Sequence, residues 1–153
     1  MIRPPISRSE FEEKNRRVLI GEGGLSESDV SAWQRGRDWL ASQDAQTSEG
    51  LVRRRSPRVH LALTAHVGGV GPAVTDDVGF GGMRLVSDNL PRLKSGDEVT
   101  VRVYLVGRSI YLLGRVVWMD RDRVGLAIGA SPPAAERALQ AAVCNGLLHR
   151  WGG

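Results

Sequence analysis

Residues 99–128 read VTVRVYLVGRSIYLLGRVVWMDRDRVGLAI, and this stretch carries the strongest signal for the fold. Apolar residues alternate with polar ones over 99–106, and a second alternating run covers 110–118. Because successive side chains of a strand point to opposite faces, the alternation predicts two half-buried strands joined by a reversal at Gly107-Arg108. A third strand is predicted at 124–128, after a short charged turn.

Upstream of this stretch the period of two continues. Residues 58–67 alternate between apolar and polar side chains and end at Gly68-Gly69, and shorter strands are predicted at 72–78 and 83–87. Short strands separated by turns at roughly 8–12-residue spacing are typical of an antiparallel barrel or sandwich. A barrel is favoured because closing the sheet removes the exposed edges of a flat sheet. The sequence therefore predicts a mainly β fold, a small six-stranded antiparallel β-barrel.

The N-terminal part of the chain is predicted to be helical. Ser9 is expected to cap a first helix that ends at Gly21, and a second helix is expected to begin near Ser26 or Ser28. The second helix carries tryptophans on a face that needs a covering surface. Residues 42–50 are small and polar and end in glycine, which indicates a linker.

A last helix is predicted after the barrel. Ser131 is expected to cap it, and Pro132-Pro133 suit its first turn, where a missing N–H is not needed. The predicted organisation has three parts: an N-terminal helical extension and linker over 1–50, a barrel domain over 51–130, and a C-terminal helix over 131–153.

Composition limits the class of protein. The chain has 153 residues, 41% of them hydrophobic and 25% charged, which is typical of a soluble globular protein. No apolar run approaches the ~20 residues of a membrane span. Residues 1–25 contain no apolar signal-peptide segment, so we expect a cytoplasmic protein. The single cysteine, Cys144, excludes an internal disulfide framework and fits a reducing compartment.

The positive charge is concentrated in the second part of the chain. Residues 1–50 have a net charge of −2, whereas residues 51–153 have a net charge of +6. Four arginines, Arg53, Arg54, Arg55 and Arg58, directly precede the first predicted strand. Such density attracts an anion or an acidic surface, although a solvated basic segment would look the same in sequence.

A second motif follows in the turn between the second and third predicted strands, and reads DVGFGG from Asp77 to Gly82. Alone it is also explained by a hairpin turn that needs positive φ. With Arg54 and Arg58 before it, and with GRVVW at 114–118 after it, the chain resembles the PilZ domain over residues 51–130. That family has RxxxR, then (D/N)xSxxG, then a late strand ending in an aromatic residue.

The resemblance implies an effector that binds the bacterial second messenger cyclic di-GMP and changes conformation to signal to a bacterial partner protein. Arg54 and Arg58 would be the main ligands, because guanidinium pairs with phosphate, meets guanine O6 and N7, and stacks on purines. Asp77 would accept from guanine N1–H and N2, and Gly82 would allow close approach. Arg53 would add a further stacking contact.

One residue departs from the family pattern. Gly79 stands where the family has serine, so a hydroxyl that could bond the ligand or the motif backbone is missing. Losing one hydrogen bond to a charged group costs on the order of 1.5–3 kcal/mol, or roughly ten- to a hundredfold in affinity. This departure leaves open an alternative, a degenerate adaptor that binds no cyclic di-GMP. Its docking surface would be Trp33, Trp39 and the terminal helix.

Other classes of function find less support in the sequence. No nucleophile, base and orienting acid cluster together, so no enzyme is predicted. His60 and His66 do not suggest a metal site, and no cofactor beyond the cyclic di-GMP ligand is implied. A single-stranded nucleic-acid binder would need more aromatic residues among its charges than the 5% present here. A homodimer remains compatible with the sequence. Asp76 is expected to be a solvated charge and Trp118 a core side chain.

Overall fold

The computed structural model describes residues 3–21, 23–47, 57–88 and 93–151. The described elements are, in chain order, α1 (Arg8–Ile20), α2 (Glu27–Thr47), β1 (Arg58–Val59), β2 (Thr64–Val67), β3 (Gly71–Gly79), β4 (Gly82–Val86), β5 (Glu98–Leu105), β6 (Arg108–Asp120), β7 (Arg123–Ile128), α3 (Pro133–Leu147) and a short 3₁₀ turn (Leu148–Arg150). None of the helices in these ranges is long and apolar enough to cross a membrane.

Six strands form a closed antiparallel barrel, which confirms the predicted fold. The order around the barrel is β3-β2-β5-β6-β7-β4, and pairing between β3 and β4 closes it. The seventh strand, β1, is short and pairs with the far end of β3, where Arg58 lies opposite Gly79. The segment that precedes the barrel is therefore held against the end of the strand that carries the second motif.

The alternation of the long hairpin corresponds to burial. Val101, Val103 and Leu112 are buried in the barrel, whereas Tyr111 and Leu113 between them are half exposed on its outer face. The two-residue turn of this hairpin lies one position earlier than predicted, because Leu105 already pairs with Arg108. Gly107 adopts a φ of 72° there, a conformation that favours glycine.

The prediction of one continuous strand over 58–67 is wrong. Residues 60–63 lie outside the strands, between β1 and β2. The buried Thr75 of β3 holds this interval: its hydroxyl accepts from the Leu63 N–H at 2.8 Å and donates to the Leu61 carbonyl at 2.6 Å. A side chain thus supplies the hydrogen bonds that a strand ladder would otherwise make.

The helix starts and ends also differ from the predictions. Ser7, not Ser9, caps α1, since its hydroxyl accepts from the Glu10 N–H at 3.2 Å. The second helix runs on to Thr47, through two thirds of the predicted linker. Ser131 does not cap α3, whose N-cap is Pro132 without a side-chain bond. The Ser131 hydroxyl instead accepts from the Leu113 N–H at 2.9 Å and so ties the chain to β6.

The N-terminal helices pack on α3 of the same chain. Asn15 of α1 is fully buried and donates to the Ala141 carbonyl at 3.0 Å and to Asn145 Oδ1 at 2.8 Å. Its own Oδ1 accepts from Trp33 Nε1 of α2 at 2.8 Å. The side-chain amide of Asn15 therefore links all three helices. Its own nitrogen and oxygen and the Trp33 indole N–H all have hydrogen-bond partners.

Aromatic side chains fill the rest of this helical layer. Phe11 stacks on Trp151 with ring centroids 4.9 Å apart, and Trp39 meets the same indole at 4.7 Å. Trp33 has no exposed surface at all. The expectation that Trp33 helps form a docking surface is therefore wrong, because its face is already covered by α1 and α3.

Candidate functional site

Four of the six sequence-predicted site residues come together at one end of the barrel. Arg58, Asp77, Gly79 and Gly82 line a single pocket of about 80 Å³. The short β1 strand brings Arg58 there, and β3 brings Asp77 two residues before its end. Arg53 and Arg54 lie outside the described residues.

Two neighbouring carboxylates in β3 have different surroundings. Asp76 forms an ion pair with Arg84 of β4, Nε to Oδ1 at 2.5 Å, and Arg123 of β7 approaches its other oxygen at 3.9 Å. Hydrogen bonding to Asp76 raises the pKa of Arg84 above its usual range. The expectation that Asp76 is only a solvated charge is wrong.

Asp77 is the carboxylate that remains available. Within the described ranges it makes no hydrogen bond or ion pair, and neither does the exposed guanidinium of Arg58 on the same pocket. The difference between the two acids arises from a bulge at Asp76, because Thr75 pairs with Leu85 while Asp77 already pairs with Arg84. The bulge leaves Asp77 half-buried, an acceptor beside a cation.

Trp118 was predicted to be a core side chain, but it lines the pocket. It is 42% exposed and lines the pocket beside Val117. A second bulge explains the error, since Val116 pairs with Leu126 while Trp118 pairs with Gly125. The indole lies flat over Gly125, where any Cβ would overlap the ring. An aromatic face thus forms one wall of the site.

Two of the three glycines of the second motif, Gly79 and Gly82, are needed for close packing. Gly79, Gly81 and Gly82 are not among the described residues with positive φ, so the expected positive φ is absent, although the motif does connect the antiparallel strands β3 and β4. A Cβ at Gly82 would lie 2.7 Å from the Leu126 carbonyl oxygen across the β4–β7 pair. A Cβ at Gly79 would lie 3.0 Å from the Pro57 carbonyl oxygen, so glycine here lets β1 approach β3.

This packing gives a first testable prediction. Gly82→Ala is expected to lower the free energy of unfolding by about 1–3 kcal/mol, the usual range for overpacking against a rigid neighbour. Urea denaturation measures the loss. Gly81→Ala is the matched control, because a Cβ at Gly81 meets no atom within 4 Å. Equal stability of the two variants would contradict the packing argument.

Metal-binding clusters and the single cysteine bear on whether the described residues form a reactive centre. No cluster of three or more histidine, cysteine or acidic side chains that could hold a metal ion exists in the described part of the chain. Cys144 is fully buried in α3. Burial raises the pKa of its thiol to about 12, so the sulfur is neutral and shielded.

Comparison with known proteins identifies the domain. The PilZ domain model matches residues 52–144, which includes the barrel and most of α3. No protein with a curated description matches the sequence.

Two solved structures share the fold. The Bacillus subtilis inhibitor of motility MotI/DgrA superposes with a TM-score of 0.54 at 14% identity, over 63% of this chain and 52% of that chain. The chain thus spans about half of its length. The PilZ domain of CeSA from a cellulose-synthesizing bacterium superposes with a TM-score of 0.51 at 20% identity, over 59% of this chain and 97% of that chain.

Proposed function

The chain belongs to the PilZ domain family, and on that premise we propose that it is a cyclic di-GMP effector whose bound state is recognised by a bacterial protein partner. One observation carries the proposal. Arg58 and Asp77 line the same pocket, and neither forms an ion pair among the described residues. A guanidinium and a carboxylate that line one pocket suit a ligand that offers both a phosphate and a base edge with N–H donors.

Each pocket residue has a role that fits this ligand. Arg58 pairs with a phosphate oxygen, since guanidinium is permanently charged and binds phosphate bidentately. Asp77 accepts from guanine N1–H and N2, two donors that a carboxylate receives together. The half-exposed indole of Trp118 offers a face on which a purine can stack.

Arg53 and Arg54 complete the proposed site. A pocket of about 80 Å³ is a shallow depression, so most of a dinucleotide would lie on the surface above it. Arg54 precedes Arg58 by four residues, which places its Cα within ~14 Å of that of Arg58 even in a fully extended chain. Its guanidinium can therefore cover a ligand seated on Arg58 and Asp77.

The β1 strand offers a route from ligand to partner. Val59, next to Arg58, packs against α3, where a Cβ at Gly146 would lie 2.9 Å from its Cγ1. The other helices are fixed to α3 through Asn15. Ligand binding would dock the segment before β1 across the barrel mouth and shift this helical layer, which alters the surface a partner meets. We place this event in the cytoplasm, consistent with the lone reduced Cys144.

Guanine recognition tests the proposal. Cyclic di-AMP presents no adjacent N1–H and N2 donors, and one lost base-edge contact is worth roughly 1–3 kcal/mol. We expect it to bind the full-length chain about ten- to a hundredfold more weakly than cyclic di-GMP in a calorimetric titration. Asp77→Asn should reduce that preference, whereas Asp122→Asn should keep it, because Asp122 in the β6–β7 turn does not line the pocket. Equal affinity for both dinucleotides would contradict recognition by Asp77.

Gly79 favours a second candidate, an adaptor of the same family that works without the ligand. The missing hydroxyl removes one contact to the ligand, and a Cβ at this position would lie only 3.0 Å from the Pro57 carbonyl oxygen, so a serine here would crowd β1. Such an adaptor would bind its partner equally well with and without cyclic di-GMP. Partner binding that requires the dinucleotide would exclude it.

A further inference from the structure

A second pocket lies between the helical layer and the barrel. Its volume is about 270 Å³, and it is lined by Arg17 in the last turn of α1, Arg108 at the start of β6 and Arg137 in α3. No acidic residue lines it among those that the structure describes. All three arginines are partly buried, where charges are screened less than on an open surface, and Arg17 also acts on Asp29, whose pKa it helps to lower.

Arg108 is the most constrained of the three. A Cβ at Gly21 would overlap its guanidinium, so this group lies directly against the backbone at the end of α1. Its Nε is buried and has no hydrogen-bond partner within the described ranges. A buried guanidinium N–H without an acceptor is costly, and an oxyanion in the pocket would supply one.

The remaining walls suit a small ligand. Gly23 and Gly24 carry no side chain into the pocket, and Leu25 and Val30 add an apolar side. Ala134 places the first turn of α3, the positive end of its dipole, at the same pocket. Glu136 in that turn bonds the Ser131 N–H at 3.1 Å and does not line the pocket.

We propose that this arginine pocket binds a small phosphorylated metabolite at a site separate from the one formed by Arg58 and Asp77. Guanidinium forks match phosphate oxygens, while Leu25 and Val30 contact the organic part of the ligand. The volume lies just below the ~300–1,000 Å³ usual for drug-sized ligands, which favours a compact molecule. A bound phosphate would tie the α1–α2 loop to the β5–β6 hairpin and to α3.

Inorganic pyrophosphate is the probe, titrated into the isotopically labelled full-length chain and followed by amide NMR shifts. We expect saturable shifts at Gly21, Gly23 and Gly24. Arg137→Gln should weaken the fitted affinity at least tenfold, with Arg115→Gln on the outer barrel face as the matched control. Shifts confined to Gly79 and Gly82, or an affinity equal in both variants, would overturn the proposal.

Two further variants separate this site from its alternatives. Arg58→Ala should leave the pyrophosphate shifts at Gly21, Gly23 and Gly24 intact, and Arg137→Gln should leave cyclic di-GMP binding intact. Failure of the proposed receptor function is thereby distinguished from failure of this site. Glu22 lies between Gly21 and Gly23 in the sequence, and Glu22→Gln tests whether its carboxylate competes with phosphate for the arginines. Pyrophosphate binding seen only in Glu22→Gln would overturn the proposal, because the chain would then fill its own pocket.

Discussion

Arg58→Ala is expected to weaken cyclic di-GMP binding by about a hundredfold. Hydrogen bonds to charged groups contribute about 1.5–3 kcal/mol, and a tenfold change in affinity corresponds to about 1.4 kcal/mol. Arg58 has no ion pair within the described part of the chain, so its guanidinium is free to bind the ligand at no cost to an existing contact. Calorimetric titration of the two full-length proteins gives the ratio.

The control for Arg58→Ala is another exposed arginine. Arg115 lies on the outer face of β6, away from the pocket, and Arg115→Ala removes the same charge from the barrel. We expect Arg115→Ala to change the affinity by less than about threefold, since its exposed side chain does not line the pocket and salt screens exposed charges. Similar losses in both variants would mean that net charge, not the pocket, attracts the dinucleotide.

Asn15→Ala is expected to cause the largest loss of stability, about 2–4 kcal/mol. The substitution leaves the Trp33 indole N–H and the Ala141 carbonyl without their partner and opens a cavity among three helices. A buried donor or acceptor left unsatisfied costs about 1–3 kcal/mol, and a cavity adds to that. Urea denaturation of the variant measures the total.

Asn145→Ala is the matched control for Asn15→Ala. Asn145 is exposed on α3 and accepts a single bond from the same amide. Its removal lets water replace the acceptor, so we expect a loss of only about 0.5–1.5 kcal/mol. If the two variants were equally stable, the amide of Asn15 would not be the link that holds the helical layer together.

The barrel was predictable because its strands bury alternate residues. Along β5, and along β6 as far as Val116, alternate positions are buried, so the sequence shows the hairpin directly. The break at 60–63 was not visible, because it depends on Thr75, which reaches Leu61 and Leu63 across twelve or more residues of sequence. The pairing of distant residues decides where such a strand ends.

The errors at the site come from two bulges. Counting alternate residues from the buried Val116 places Trp118 inside, but the extra residue, Val117, turns the indole outward. The bulge at Asp76 similarly places one acid on Arg84 and leaves the next beside Arg58. One inserted residue exchanges the inward-facing and outward-facing side chains of the rest of the strand. Pairing with the neighbouring strand decides where the inserted residue lies, so the sequence of one strand does not show it.

The direct test of the receptor account is one calorimetric titration of cyclic di-GMP into the full-length chain. The account predicts saturable binding with a dissociation constant in the micromolar range or tighter, even though Gly79 replaces the family serine. The dissociation constant should rise about a hundredfold in Arg58→Ala. No heat of binding from the wild-type chain at near-millimolar dinucleotide, or undiminished binding by Arg58→Ala, would contradict it.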